Sequence, residues 1–161
     1  MQKVRIGLIG AGFTGHLHAK GYLETPNVEL VAVAAKTRVS AEKFSKEYGM
    51  KAWYTDYMDL IKRKDIDAIS ICLPNKFHAP ATIAAAEAGK HIMCEKPMAI
   101  TLEEADKMIR AADKAGVKLF IAETVRFVPS FVRVKELIEE GAIGKVFMFK
   151  AHSSHSGPHS L

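Results

Sequence analysis

Short unbroken apolar runs alternate along this chain with stretches in which apolar positions recur every three or four residues. Val4–Ile9, Val28–Ala34, Ile66–Leu73, His91–Cys94 and Lys118–Ala122 are the runs, and each is short enough to be a strand. Strands apolar throughout are buried on both faces, which is the condition of a parallel sheet covered by helices. The helical pattern fills the intervals: Leu17–Leu23, Ser40–Tyr48, a short helix from an Asp56 cap to Ile61, Ala79–Ala88, and a helix from Thr101 to Lys114. Gly89 and Gly116 stand where helix-ending glycines belong. Thr101 with Glu104 three positions on has capping-box spacing. The alternation predicts an α/β fold, a Rossmann-type doubly wound parallel sheet, over residues 1–124.

After Arg126 the texture changes. One amphipathic helix is predicted over Pro129–Glu140, stopped by Gly141, and one strand over Val146–Ala151, before a polar tail. Residues 125–161 therefore read as the incomplete start of a second, α+β domain. The unpaired strand edge at Val146–Ala151 would favour self-association. His152, His155 and His159 close the chain without a neighbouring carboxylate or thiolate, so no metal site is expected there. His16 and His18 on the first helix are expected to pack or to meet solvent.

Composition narrows the function classes. The chain has 161 residues, 48% hydrophobic and 25% charged, with a net charge of +5. That is ordinary globular composition with ample material for a core. The lysines are largely interleaved with acids, and Lys62-Arg63-Lys64 is one compact basic run, so a nucleic-acid partner is not expected. No apolar run approaches the ~20 residues that span a membrane. The N-terminus lacks a signal-peptide pattern, which makes a cytoplasmic location the expectation. Cys72 and Cys94 read as buried thiols in a reducing compartment.

The first strand runs into Gly10-Ala11-Gly12-Phe13-Thr14-Gly15, a G-x-G-x-x-G in the strand-to-helix context that gives the motif meaning. Gly10 serves the tight turn, Gly12 lets backbone approach a pyrophosphate, and Gly15 lets helix pack close on strand. The helix N-terminus then offers unpaired N–H groups to phosphate. An NAD site usually carries an acid roughly 20 residues on, to hold the ribose 2′-hydroxyl. Here the second strand ends in Ala34-Ala35-Lys36-Thr37-Arg38. Lys36 and Arg38 would attract a 2′-phosphate and Thr37 would donate a hydroxyl hydrogen bond. The cofactor expected is therefore NADP, with NAD the alternative.

Three blocks together carry a family resemblance: "GLIGAGFTGHLH", "LPNKFHAPATIAAAEAGKHIMCEKP" and "RFVPSFVRVKELIEEGAIGKV". In this order the chain resembles the glucose–fructose oxidoreductase, inositol dehydrogenase and rhizopine catabolism superfamily, from Lys3 to about Val146. The resemblance implies a dehydrogenase moving hydride between nicotinamide and a secondary alcohol or ketone of a sugar or polyol. It implies that Gly10, Gly12, Phe13, Thr14 and Gly15 cradle the pyrophosphate, and that Leu73, Pro74, Asn75 and His78 lie along the ribose side. Glu95, Lys96 and Pro97 would floor the nicotinamide end, with Lys96 catalytic, and Arg126 would stand near the cofactor. It also implies a substrate and oligomerisation domain, homo-oligomers of the full-length form, and a catalytic histidine in an Asp-x-x-x-His motif. No such motif occurs in these 161 residues. The alternative reading is a non-catalytic NADP-binding or cofactor-sensing protein.

Lys96 is singled out without the resemblance as well. In open parallel sheets ligands bind outside the carboxyl ends of strands, and Lys96 directly follows such an end. Its amine has three donors on a flexible stem, suited to holding or polarising a substrate oxygen.

Overall fold

The computed structural model describes residues 3–152. Six parallel strands form one sheet in the order β3-β2-β1-β4-β5-β6. They are β1 (Val4–Ile9), β2 (Val28–Ala34), β3 (Ala52–Tyr54), β4 (Ala68–Ile71), β5 (His91–Glu95) and β6 (Leu119–Ala122). The helices between them are α1 (Phe13–Glu24), α2 (Arg38–Glu47), α3 (Tyr57–Ile61), α4 (His78–Glu87) and α5 (Leu102–Ala115). The strand order reverses between β1 and β4, which opens a crevice above their carboxyl ends.

The sheet separates two apolar clusters. On one face Ile69, Ile71, Ile92 and Cys94 meet Ala81, Ala85 and Met108 of α4 and α5. Small residues on α4 let that helix lie close to the strands. On the other face Leu8, Leu30 and Val33 meet Ala19 of α1 and Phe44 of α2. Side chains alternate along each strand, so Ser70 and Glu95 turn away from the α4 face that Ile71 and Cys94 serve.

The chain divides into two compact units after Ala122. In the second, a 3₁₀ turn (Thr124–Phe127) leads into α6 (Pro129–Glu139), where Pro129 occupies the first turn and pre-sets the backbone. The strand expected over Val146–Ala151 does not form: those residues have no ladder partner, and Phe147 is 92% exposed. A run of β-formers becomes a strand only by pairing, and residues 123–152 supply no second strand. His155 and His159 lie outside the described residues.

Candidate active site

A cavity of about 1060 Å³ opens at the carboxyl ends of β1, β2 and β4. That is the upper end of the ~300–1,000 Å³ usual for small-molecule sites, and it suits an extended ligand. Gly10, Gly12, Phe13, Thr14, Lys36, Leu73 and Pro74, all singled out from the sequence, line it.

Helix starts in this unit are of two kinds: α1 and α4 begin with no side-chain cap and no acid in the first turn, and the other three are capped. Thr37 caps α2, Asp56 caps α3 and Thr101 caps α5, each by a side-chain oxygen accepting a backbone N–H. Gly12 begins α1 with no side-chain cap and no acid in the first turn. The N–H groups there are left for a ligand, and the helix dipole favours an anion. Helix α1 starts at Phe13, four residues earlier than its apolar pattern suggested, because the glycine loop leads directly into its first turn.

The three glycines do different work. Gly10 has φ +107°, and a Cβ there would collide with the Cys72 carbonyl. A Cβ on Gly15 would collide with the Gly10 carbonyl, so the first turn of α1 sits directly against the loop. A Cβ on Gly12 meets nothing within 4 Å, and its backbone (φ −90°, ψ −171°) is open to any residue. The fold demands glycine at positions 10 and 15. At 12 the fold makes no such demand, and the residue lines the cavity with open space around it.

At the end of β2, Ala34 and Ala35 are buried and Lys36 faces the cavity. Thr37, expected as a phosphate donor, does not line it. Its Oγ1 accepts the Ser40 N–H at 3.2 Å and lies 2.7 Å from Ser40 Oγ. Ser40 lines the cavity instead. Arg38 lies over the Trp53 ring at 5.5 Å and pairs with Glu42.

The Leu73–His78 block divides likewise. Leu73, Pro74, Lys76 and Phe77 line the cavity. Asn75 opens a 3₁₀ turn and does not line it. His78, expected along the ribose, is fully buried. Its Nδ1 is 2.8 Å from the Pro97 carbonyl and its Nε2 2.8 Å from the Leu73 carbonyl. Both nitrogens face backbone carbonyls, so the ring stands between the loop after β4 and the loop after β5, donating to one of them, and it does not line the cavity.

At the end of β5, Glu95 is half-buried while Lys96 and Pro97 are exposed, outside the cavity lining. Glu95 Oε2 accepts the Lys96 backbone N–H at 3.0 Å, and Oε1 lies 3.0 Å from His18 Nε2. Arg126 belongs to the second unit, with its guanidinium 5.6 Å over the Phe127 ring. Burial pushes the Cys72 thiol up to about 12 and the Cys94 thiol to about 11, so neither is a nucleophile at neutral pH. Among the described residues no His, Cys, Asp and Glu group is arranged to hold a metal. No helix there is long and apolar enough to cross a membrane.

Sequence reasoning missed Ser40, Thr55, Tyr57 and Phe77 in the lining. Thr55 directly follows β3, three residues long and too short for periodicity to reveal, and Tyr57 opens α3 just beyond it. Phe77 lay inside a block already marked and was passed over for its polar neighbours.

Residues 4–123 match the family model described as "Oxidoreductase family, NAD-binding Rossmann fold". The chain is 37% identical over 159 residues to levoglucosan dehydrogenase of Pseudarthrobacter phenanthrenivorans, covering 93% of this chain and 40% of that protein. It is 33% identical over 158 residues to myo-inositol 2-dehydrogenase of Thermotoga maritima, covering 98% and 47%. A levoglucosan dehydrogenase structure in complex with NADH and L-sorbose superposes with a TM-score of 0.87 at 36% identity, covering 90% of this chain and 41% of that one. The chain thus spans less than half the length of these relatives.

Proposed function

The chain belongs to the oxidoreductase family with an NAD-binding Rossmann fold, and on that premise we propose that it is the cofactor-binding part of a sugar or polyol dehydrogenase that prefers NADP(H). The nicotinamide, when bound, accepts or gives hydride at C4 against a secondary alcohol or its ketone. The first turn of α1 holds the pyrophosphate by backbone N–H groups. Lys36 and Ser40 meet the 2′-phosphate, Ser40 taking the part first expected of Thr37. Arg38 reaches it only by leaving Trp53. His78 sets the spacing of the two loops that flank the ribose. Lys96 positions and polarises the substrate oxygen, and the alcohol proton goes to a histidine of the Asp-x-x-x-His kind that these residues lack. Homo-oligomers of the full-length protein belong to the same reading.

The observation that supports the cofactor preference most directly is the end of β2. Ala34, Ala35, Lys36 and Ser40 face or edge the cavity there, and among the described residues no carboxylate lines it. A carboxylate about 4 Å from a 2′-phosphate would repel it by roughly 1–4 kcal/mol, depending on screening. NADH and NADPH binding, followed by nicotinamide fluorescence, tests this. NADPH should bind the unmodified chain at least about ten-fold more tightly, and Lys36→Asp should reverse the order. Tighter binding of NADH to the unmodified chain would overturn the preference.

A further inference from the structure

We propose that His18 is a positioning residue for the lysine end of the site: it holds the Glu95 carboxylate, and through it the peptide that carries Lys96, in one setting. The inference rests on reading the end of β5 as the nicotinamide end of the cofactor site.

The side chains of His18 and Glu95 are 12% and 13% exposed. A carboxylate so shielded from water is costly unless each oxygen has a partner. The two oxygens of Glu95 have one each: Oε2 accepts the Lys96 N–H and Oε1 meets His18 Nε2, both at 3.0 Å. The other imidazole nitrogen, Nδ1, is 2.8 Å from Ser70 Oγ, and Ser70 is fully buried. Tyr22 donates its hydroxyl to Ser70 Oγ at 3.2 Å. Burial raises the Tyr22 pKa, so that hydroxyl keeps its proton.

The donors then run one way. With Tyr22 donating to Ser70, the serine's own proton is free for Nδ1. The ring proton sits on Nε2 and donates to Glu95, a tautomer assigned by the network. Every member is satisfied, and such a network favours one arrangement over its neighbours. Its reach is what matters. His18 and Tyr22 stand on α1, Ser70 on β4 and Glu95 on β5, so the helix that offers its first turn to the pyrophosphate also fixes the strand end that bears Lys96. A simple fastener between α1 and β5 would add stability alone, and the two roles separate experimentally.

NADPH and its fragment lacking nicotinamide, 2′-phospho-ADP-ribose, are titrated calorimetrically into the 161-residue chain and into His18→Leu, His18→Gln and Tyr22→Phe, each with its melting temperature. His18→Leu should weaken NADPH about five- to ten-fold and leave the fragment within about two-fold, the loss of one hydrogen bond at the nicotinamide end. His18→Gln, which returns a donor toward Glu95, should recover most of that loss. Tyr22→Phe should show a smaller loss of the same selectivity, and it leaves His18 in place should the leucine variant fail to fold. Equal weakening of both ligands, or of neither, overturns the positioning role. A chain that binds neither ligand overturns the cofactor reading itself, and this inference with it.

Discussion

Gly12 and Gly15 are three residues apart in one motif, yet they answer to different constraints, and substitution separates them. Gly15→Ala drives a methyl into the Gly10 carbonyl and should destabilise the fold by about 2 kcal/mol or more, seen as a lower melting temperature. Gly12→Ala has open space around its Cβ and an ordinary backbone, so the melting temperature of the free chain should stay within about 0.5 kcal/mol of the parent. Its dinucleotide binding, measured by fluorescence titration, should nonetheless fall at least about ten-fold, because the methyl stands where phosphate must approach backbone. Equal stability losses in the two variants would show that the loop is a turn and nothing more. At this scale the sequence reveals residues whose backbone is constrained and hides those whose side chains are shared. Gly10, Gly12 and Lys36 could be placed at the cavity from motif position alone. The polar atoms of Thr37 and His78 face Ser40 and two carbonyls, partners that no motif announces, and His18 was passed over because its partners lie 52 and 77 residues away.

Elements were read best where local chemistry and periodicity agree, and α5 is the plainest case. Thr101 Oγ1 accepts the Glu104 N–H at 3.2 Å, and Gly116 ends the helix at φ +66°. The reciprocal half of the capping box is displaced by one residue, since Glu104 accepts from the Ile100 N–H at 3.3 Å. Thr101→Ala should therefore cost about 1 kcal/mol, read from urea denaturation, and Thr101→Ser should restore most of it. Cofactor affinity should not change, because α5 packs on the face opposite α1 and α2. A change in affinity without a change in stability would place α5 in the binding machinery. Elements failed to show where length or context decides. The β4 run is largely apolar from Ile66 to Leu73, but the strand is Ala68–Ile71, with single backbone hydrogen bonds carrying on at Asp67 and Cys72 before the chain turns away. The Val146–Ala151 run has strand composition and no partner, and composition does not supply one.

The first unit as a whole puts its cavity at one end of the sheet and the Arg5–Asp67 ion pair at the other. The carboxyl ends of the strands carry the glycine loop, Lys36 and Lys96. At the amino ends, Arg5 donates to both Asp67 oxygens at 2.7 and 3.0 Å and adds its backbone N–H at 2.8 Å. Arg5 holds the Asp67 carboxyl down to about 2, and Arg63 lowers Asp65 in the same direction. A carboxyl depressed in the folded chain stays ionised there after its unfolded counterpart has begun to protonate. The stability it contributes is complete above about pH 4 and is lost as pH falls through about 2. Both partners are 34% exposed, so solvent screening keeps the pair's contribution small. Melting temperatures of the parent and Asp67→Asn should thus differ by a few degrees near pH 6 and converge by pH 2, with the parent losing more over that interval. A difference that persists unchanged to pH 2 would mean that Asp67 acts through packing or neutral hydrogen bonds and not through its charge. Dinucleotide affinity at pH 7 should be the same in both proteins, since the pair and the cavity stand at opposite ends of β1 and β4. An affinity loss would instead show that the amino-terminal clamp sets the strand positions on which the glycine loop depends.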